Sequence, residues 1–478
     1  MPLTKATYSM IDGAPANVDD FGAVGDGVTN DSAAIQAAIN SASTDIVLTN
    51  GKTYLCNVTL SFPGGKRLSG HAKLKLGTAG RRLIRTASNA QNCVFEDFEM
   101  EGFSGSGGGY VGGEFGIQLD EADWCVIRNV TAYNFGGDGF YVGPNTANNN
   151  LLENCVAYNN GRQGCTIAGG AFNVVRGGYY YDNVLYGVDL EGSTVSNSLV
   201  DGVVAWGNVN GITSESGTQG RAIIVNCRCY SNTEHGIQAN GTYDKIASNV
   251  SYSNGFSGIA AGANYQVVGA NQTYLNSFSG IQLDPGVARV GITVSNNVSY
   301  SNVRHGIQLS RIANSVVDGN TVWDNDSGDT TTYSGISMGG AVGAEGSNNV
   351  ISNNTSGNTT AGVGQRWGVF IGSNCLTNIV SENVFAGNKT APISDSGTGN
   401  TFSKNKGYLN ENGGTSSAIT TGGTIAHGLA GTPTIFTVTP TSAATDVRAS
   451  ADATNLTVTF GGGGSVAFSW RAALQNTM

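Results

Sequence analysis

Nine glycines punctuate this sequence at a near-constant interval: Gly116, Gly139, Gly164, Gly187, Gly211, Gly236, Gly258, Gly280 and Gly306 stand 22 to 26 residues apart. Most are preceded by an aromatic, any residue and an asparagine, and followed by an apolar residue, as in YNNGRQGC, YDNVLYGV, WGNVNGI, YSNTEHGI and YSNGFSGI. The period is too short for two helices and their turns. Its segments are rich in Val, Ile, Thr and Tyr, so the unit is built of strands. A leucine-rich repeat of this length needs a dense leucine ladder, which is missing. Short strands with alternating apolar positions, separated by Gly and Asn turns, predict one coil of a parallel β-helix per unit, an all-β solenoid in which each coil bonds to its neighbours.

Two further columns follow the same register. Asn160, Asn183, Asn208, Asn232, Asn254, Asn276, Asn302 and Asn325 recur at one place in successive units. Stacked asparagines tolerate a left-handed turn and bond amide to amide, so the column is expected to be structural. Tyr158, Tyr181, Trp206, Tyr230, Tyr252, Tyr274, Tyr300 and Trp323 stand two residues earlier. Alternate residues of a strand share a face, so these rings are expected to stack inside the coil with the asparagines. From Gly306 to Gly335 and on to Gly368 the intervals lengthen to 29 and 33 residues. Loops therefore protrude there, near Trp323, Tyr333, Arg366 and Trp367, which either stack on sugars or pack.

A formal net charge of -10 and scattered basic residues argue against nucleic acid or an anionic membrane as partner. No stretch approaches 18 apolar residues and Met1 to Gly13 lacks a basic region followed by an apolar one. Neither membrane insertion nor a signal peptide is expected, and synthesis in a host cytoplasm follows. The eight cysteines show no paired ligand spacing and are expected to be buried thiols. No cofactor and no metal are expected. Asp324, Asp326 and Asp329 lie close enough to bind Ca2+, but a plain surface loop is the preferred reading.

Residues 1–45 are expected to form a leading segment and a helix capped at Asn30, Asp31 or Ser32, which covers the open first coil; residues 46–410 form the β-helix. The sequence DFGAVGDGVTNDSAAIQAAI resembles the opening of the pectate-lyase-like right-handed β-helix superfamily, and TYSMIDGAPANV before it resembles bacteriophage tailspikes. Residues 411–478 change to alternating segments such as TIFTVTPT and NLTVTF, an antiparallel β pattern resembling the small C-terminal β-sandwich modules of phage tail proteins. The resemblance implies a homotrimer on the virion tail, a bacterial surface polysaccharide as partner, and a C-terminal module for trimerisation or carbohydrate binding. The stretch GGDGFYVGPN is similar to alginate-type epimerases, but their Asp-Pro-His-Glu run is absent.

Alignment on the glycine places the second and fourth residues after it on the outer face. The second-residue column includes Gln118, Tyr141, Thr166, Asp189, Thr213 and Gln238; the fourth includes Asp120, Glu191, Glu215, Asn240 and Asp284. Acid gathers at Asp189, Glu191 and Glu215. With coils about 4.8 Å apart and alternate residues about 6.6 Å apart, Glu191 and Glu215 are expected about 5 Å apart and Asp189 and Glu215 about 8 Å. Those spans bracket retaining (about 5 to 5.5 Å) and inverting (about 6.5 to 9.5 Å) glycosidases. Glu191 is the expected acid, with Asp189 or Glu215 as base or nucleophile; a solvated acidic patch is the alternative.

Just before the glycines stand Asp138, Gln163, Tyr186, Asn210 and His235, with Arg162 and Glu234 one residue earlier. A lyase needs a base and a cation that neutralises a uronate, which Tyr186, His235 and Arg162 can supply; packed rings are the plainer alternative. Tyr141, Arg162, Tyr186, Glu234, His235 and Gln238 are the candidate sugar-binding residues. Hydrolysis of a surface polysaccharide is the leading expectation. A lyase or epimerase, or a binding-only adhesin, stands behind it.

Overall fold

Each repeat folds as three short parallel strands joined by tight corners. The computed structural model describes residues 14–105, 107, 109–215, 220–283 and 286–474, in two units divided at Leu283 and Asp284. Residues 1–13 and Asp284 of the fourth column lie outside the described residues.

In the first unit a typical coil runs Leu151–Glu153, Val156–Tyr158 and Cys165–Gly169. Each strand pairs in parallel with its counterpart one coil on: Leu152 with Val175, Ala157 with Tyr180, Cys165 with Val188. Leu152, Ala157, Cys165 and Ile167 are fully buried. Each such side chain contributes about 1.5 to 3 kcal/mol when it is of Val or Leu size.

The repeated glycine is required by close approach and not by backbone conformation. A Cβ on Gly164 would lie 2.7 Å from the Gly187 carbonyl oxygen, and one on Gly187 would lie 2.5 Å from that of Gly211. Any side chain here would push neighbouring coils apart.

The asparagine column is a buried ladder, as expected, but its left-handed residue is the one before it. Asn159, Asp182, Ser231 and Ser253 have φ between 52 and 54°. That turn lets each asparagine point inward. The Asn183 amide donates to Asn208 Oδ1 at 3.1 Å, and Asn208 donates in turn to Asn232 at 3.3 Å and to the Tyr180 carbonyl at 3.0 Å. A second ladder, through Asn249 and Asn271, fills the corner between the first two strands, and Asn150 and Asn173 begin a third.

The same left-handed residue corrects the expectation for the aromatics. It breaks the period-two parity, so Tyr158 and Asn160 face opposite ways: Ala157 and Asn160 are buried and Tyr158 is half-buried on the outer face. From Tyr133 through Tyr158, Tyr181, Trp206, Tyr230 and Tyr252 to Tyr274 the rings stack outside the coil, 4.4 to 5.6 Å apart and within 10° of parallel.

At the start of this unit the helix Ser32–Ile39 buries Ile35, Ala38 and Ile39 against the first coils, with Asp31 as its N-cap residue. The Asp31 carboxylate accepts from the amides of Val24 and Gly25 and so ties down the glycine turns before it.

The second unit continues the coil pattern by itself. Ile307 pairs with Ile336 and Ile336 with Val369, so the longer intervals leave the strand register intact. Its ladder runs Asn297, Asn320, Asn354, Asn383 and Asn405. In the enlarged coils, Arg366 covers one face of Trp367 at 3.9 Å, Phe370 stacks on that ring at 5.0 Å, and Tyr333 packs edge-on to His305. Asp326 accepts from Thr330 and Thr332, Asp324 from Thr359, and Asp329 pairs with Lys389, so all three aspartates serve the loop. From Glu411 the chain forms two three-stranded antiparallel sheets around a core of Leu456, Val458, Phe460 and Phe468. All eight cysteines are buried and unpaired.

Candidate functional site

The register of the third strand brings the acidic residues together. Asp189 lies between Thr166 and Thr213 in the neighbouring coils, the alignment that the glycines predict. The Glu191 amide bonds to the Ile167 carbonyl and the Glu215 amide to the Leu190 carbonyl, so these two glutamates occupy the same position one coil apart. Adjacent coils are separated by about 4.8 Å.

Their surroundings differ. Asp189, expected on an open outer face, is only 1% exposed, and Gln163 of the preceding coil donates to its Oδ2 at 2.7 Å. Its Oδ1 is buried with no hydrogen-bond partner. Burial first, then the charges of Glu215 and Glu191, push its pKa well above the ordinary carboxylate value. Glu215 is exposed, and its pKa is raised by partial burial and then by Glu191.

Glu191 is ion-paired to Arg162, one coil back. The same guanidinium approaches Asp138 at 3.2 Å, and Asp138 is fully buried, with a pKa raised by desolvation to about 6. The two constellations expected separately are therefore one site with Arg162 as its hinge. Glu191, expected as the proton donor, is the carboxylate that pairs with Arg162.

The residue before the glycine also faces outward, where it meets the second residue after the glycine. Thr166 donates to Asp138 at 2.9 Å, and Asn210 donates to Thr213 at 3.3 Å and Gln238 at 2.9 Å. Tyr186 is half-buried, and its pKa is raised by burial and then by Glu215, Asp189, Glu234 and Glu191. It stays a neutral phenol and is no base at neutral pH. His235 sits apart, edge-on to Phe256 at 5.0 Å, its pKa pushed down by burial to about 4. Glu234 is exposed beside it.

An aromatic wall on the other flank escaped the repeat alignment. Tyr110 is 57% exposed and lies 5.8 Å from the Arg162 guanidinium, while Phe115 stacks on Tyr141 at 4.7 Å. Glu114, fully buried, accepts from the amides of Gly80, Phe103, Ser104 and Gly136 and clasps the loop that carries Tyr110. Burial opposes its charge, but these bonds outweigh burial and lower its pKa. The signal available was the irregular glycine-rich stretch before Gly116, which is outside the repeat.

Among the described residues, no three His, Cys, Asp or Glu side chains converge as a metal site. A cavity of 500 Å³ lined by Lys52, His71, Lys73 and Asp97 lies elsewhere and holds none of these residues.

A sequence profile described as "Right handed beta helix region" matches residues 77–204, 115–269, 191–339 and 235–407, and one described as "Rhamnogalacturonase A/epimerase, pectate lyase-like" matches residues 16–75. Mannuronan C5-epimerase AlgE5 of Azotobacter vinelandii is 28% identical over 37% of this chain and 25% of its own length. AlgE2 of the same organism is 29% identical over 40% of this chain and 22% of its own length. The chain thus spans about a quarter of these curated relatives. The tailspike protein of E. coli bacteriophage HK620, solved in complex with pentasaccharide, shares the fold over 98% of this chain and 97% of its own, with a TM-score of 0.59 and 13% identity. Tailspike protein 3 of bacteriophage CBA120 does so over 85% of this chain and 65% of its own, with a TM-score of 0.51 and 14% identity.

Proposed function

This chain belongs to the right-handed β-helix family, and on that scaffold we propose a tailspike-type depolymerase that hydrolyses glycosidic bonds in a bacterial surface polysaccharide, a capsule or O-antigen. The observation that carries the reading is the pair Glu191 and Glu215, one coil apart, with one ion-paired to Arg162 and the other's pKa raised.

Glu215 donates its proton to the leaving glycosidic oxygen. The Glu191 carboxylate attacks the anomeric carbon from the opposite face, and Glu215, now ionised, activates the water that releases the sugar. A separation of about 5 Å is the retaining geometry, so the product keeps its anomeric configuration. Asp189, buried and with its pKa raised by burial and by the glutamates, resists adding a third charge to the site. Tyr110, Tyr141 and Tyr186 supply ring faces for the sugars, and Glu234, His235 and Gln238 extend the surface along the coils. Assembly as a homotrimer on a virion tail is part of the proposal and is read by light scattering, at three chains per particle.

A lyase or epimerase on this site is disfavoured. Arg162 is already neutralised by two carboxylates, and Tyr186, surrounded by four, resists ionisation.

The test is incubation with a panel of capsules and lipopolysaccharides, following polymer size, reducing ends and absorbance near 235 nm. Shortening with new reducing ends and no absorbance, lost in Glu191→Gln and Glu215→Gln, is expected. New absorbance would make the protein a lyase, and binding without shortening an adhesin.

A further inference from the structure

Resting on the hydrolase reading of this site, we infer that its substrate is an uncharged glycan, of hexoses, deoxyhexoses or N-acetylhexosamines, and that a uronate at the cleaved residue is rejected. The charges of Glu215, Asp189, Glu234 and Glu191 all act on Tyr186, and Asp138 shares Arg162 with Glu191. Arg162 is the cation whose charge acts on both Asp189 and Glu215.

That cation is not available to a ligand. Its side chain is 16% exposed, its Nε faces Asp138 and Gln163, its Nη2 pairs with Glu191, and Tyr110 lies against it. A uronate carboxylate brings acceptor oxygens only and needs free guanidinium or ammonium donors. It would instead meet the exposed Glu234 and the Glu191 carboxylate, whose one cation is shared with Asp138. Like charges in a partly desolvated cleft repel far more than in water.

The groups that are available suit hydroxyls and amides. The glutamates accept hydrogen bonds from sugar O–H and N–H groups. Gln238, half-buried at the edge of the site and accepting from Asn210, offers an uncharged amide. The buried Asp189 Oδ1, with no partner in the protein, points to a polar ligand group that completes it. The exposed Tyr110 ring offers a face to the apolar side of a pyranose. The epimerase relatives are named for mannuronan, a polyuronate, whereas this site suits an uncharged polymer.

The experiment compares three sets of polymers: uncharged O-antigens and capsules, uronate-bearing capsules together with mannuronan, and the same uronate polymers after chemical reduction of their carboxyls to alcohols. Turnover is read as reducing ends with the native chain, and binding as retention of the Glu215→Gln variant on immobilised polymer. Cleavage and retention are expected on uncharged polymers, and a carboxyl-reduced polymer is bound at least about tenfold better than its parent at low salt. The discrimination is expected to shrink in about 1 M salt, where the screening length falls to ~3 Å. Uronate polymers cleaved or retained as well as uncharged ones would overturn the inference and leave hydrolysis standing. Charge-selective retention without any shortening would uphold the charge preference and sink the hydrolase. No retention and no shortening on any polymer would overturn both.

Discussion

Replacing Arg162 by methionine removes the charge shared by Asp138 and Glu191 while keeping an apolar stem of similar length. Asp138 is fully buried and loses its cation, which costs about 3 to 5 kcal/mol for a broken buried pair. Glu191, 35% exposed on its side chain, rehydrates and adds little. The sign with pH follows from the carboxyl. The folded pKa of Asp138, about 6, lies above its unfolded value near 3.8, so the stability tied to its proton is present below 3.8 and lost as pH rises through 6. Without the guanidinium that pKa climbs further, and the loss continues to higher pH. The penalty of Arg162→Met is therefore small near pH 5, where Asp138 is largely protonated in both proteins. Above about pH 6 it grows by up to ~1.4 kcal/mol per pH unit. Urea unfolding at about pH 5, 6.5 and 8 reads this directly, and Asp138→Asn in the same background restores most of the loss at pH 8. A penalty that is flat with pH, below about 1 kcal/mol at pH 8, or indifferent to Asp138→Asn would refute the pairing.

Asn208→Ala removes the acceptor of Asn183 and the donors to Tyr180 and Asn232, leaving buried groups unpaired; a loss of about 3 to 5 kcal/mol is expected, with faster amide exchange in the adjacent coils, and a loss under about 1 kcal/mol would contradict the ladder. Asp244, buried, has its pKa raised by desolvation to about 6, so the native chain loses about 3 kcal/mol between pH 3.8 and 6; Asp244→Asn flattens this dependence, as thermal unfolding at about pH 4 and 7 will show. Hydrolysis requires protonated Glu215, so its rate falls as pH rises through that group's raised pKa; a pH–rate profile that keeps climbing to about pH 8 would remove Glu215 as the proton donor.

Much of the solenoid could be read from the residues alone. Gly139, Gly164, Gly187 and Gly211 must each lack a side chain because the next coil's carbonyl stands where a Cβ would be, and that demand recurs once per coil. Aligning on it therefore placed Asp189 opposite Thr166 and Thr213 and put Glu191 level with Glu215. The asparagine ladder was legible for the same reason: each member bonds to the next, so the residue type must repeat. Face assignment failed where one backbone angle intervened. A left-handed residue such as Asn159 or Asp182 turns the chain between ring and amide, and strand parity does not carry through it.

The site's electrostatics belonged to the tertiary structure. Periodicity records what stacks on its own kind, whereas Arg162 meets Glu191 and Asp138 from different coils, and Tyr110 arrives on a loop outside the repeat. Which carboxyl is an anion and which keeps a proton depends on burial and on the nearest charge. Both are properties of the space between coils. The sequence by itself determined a glycine-registered β-helix with three acids on one flank; the packing of Gln163, Arg162 and the glutamates around Asp189 decided their chemistry, because desolvation and ion pairing exist only once the coils have closed over them.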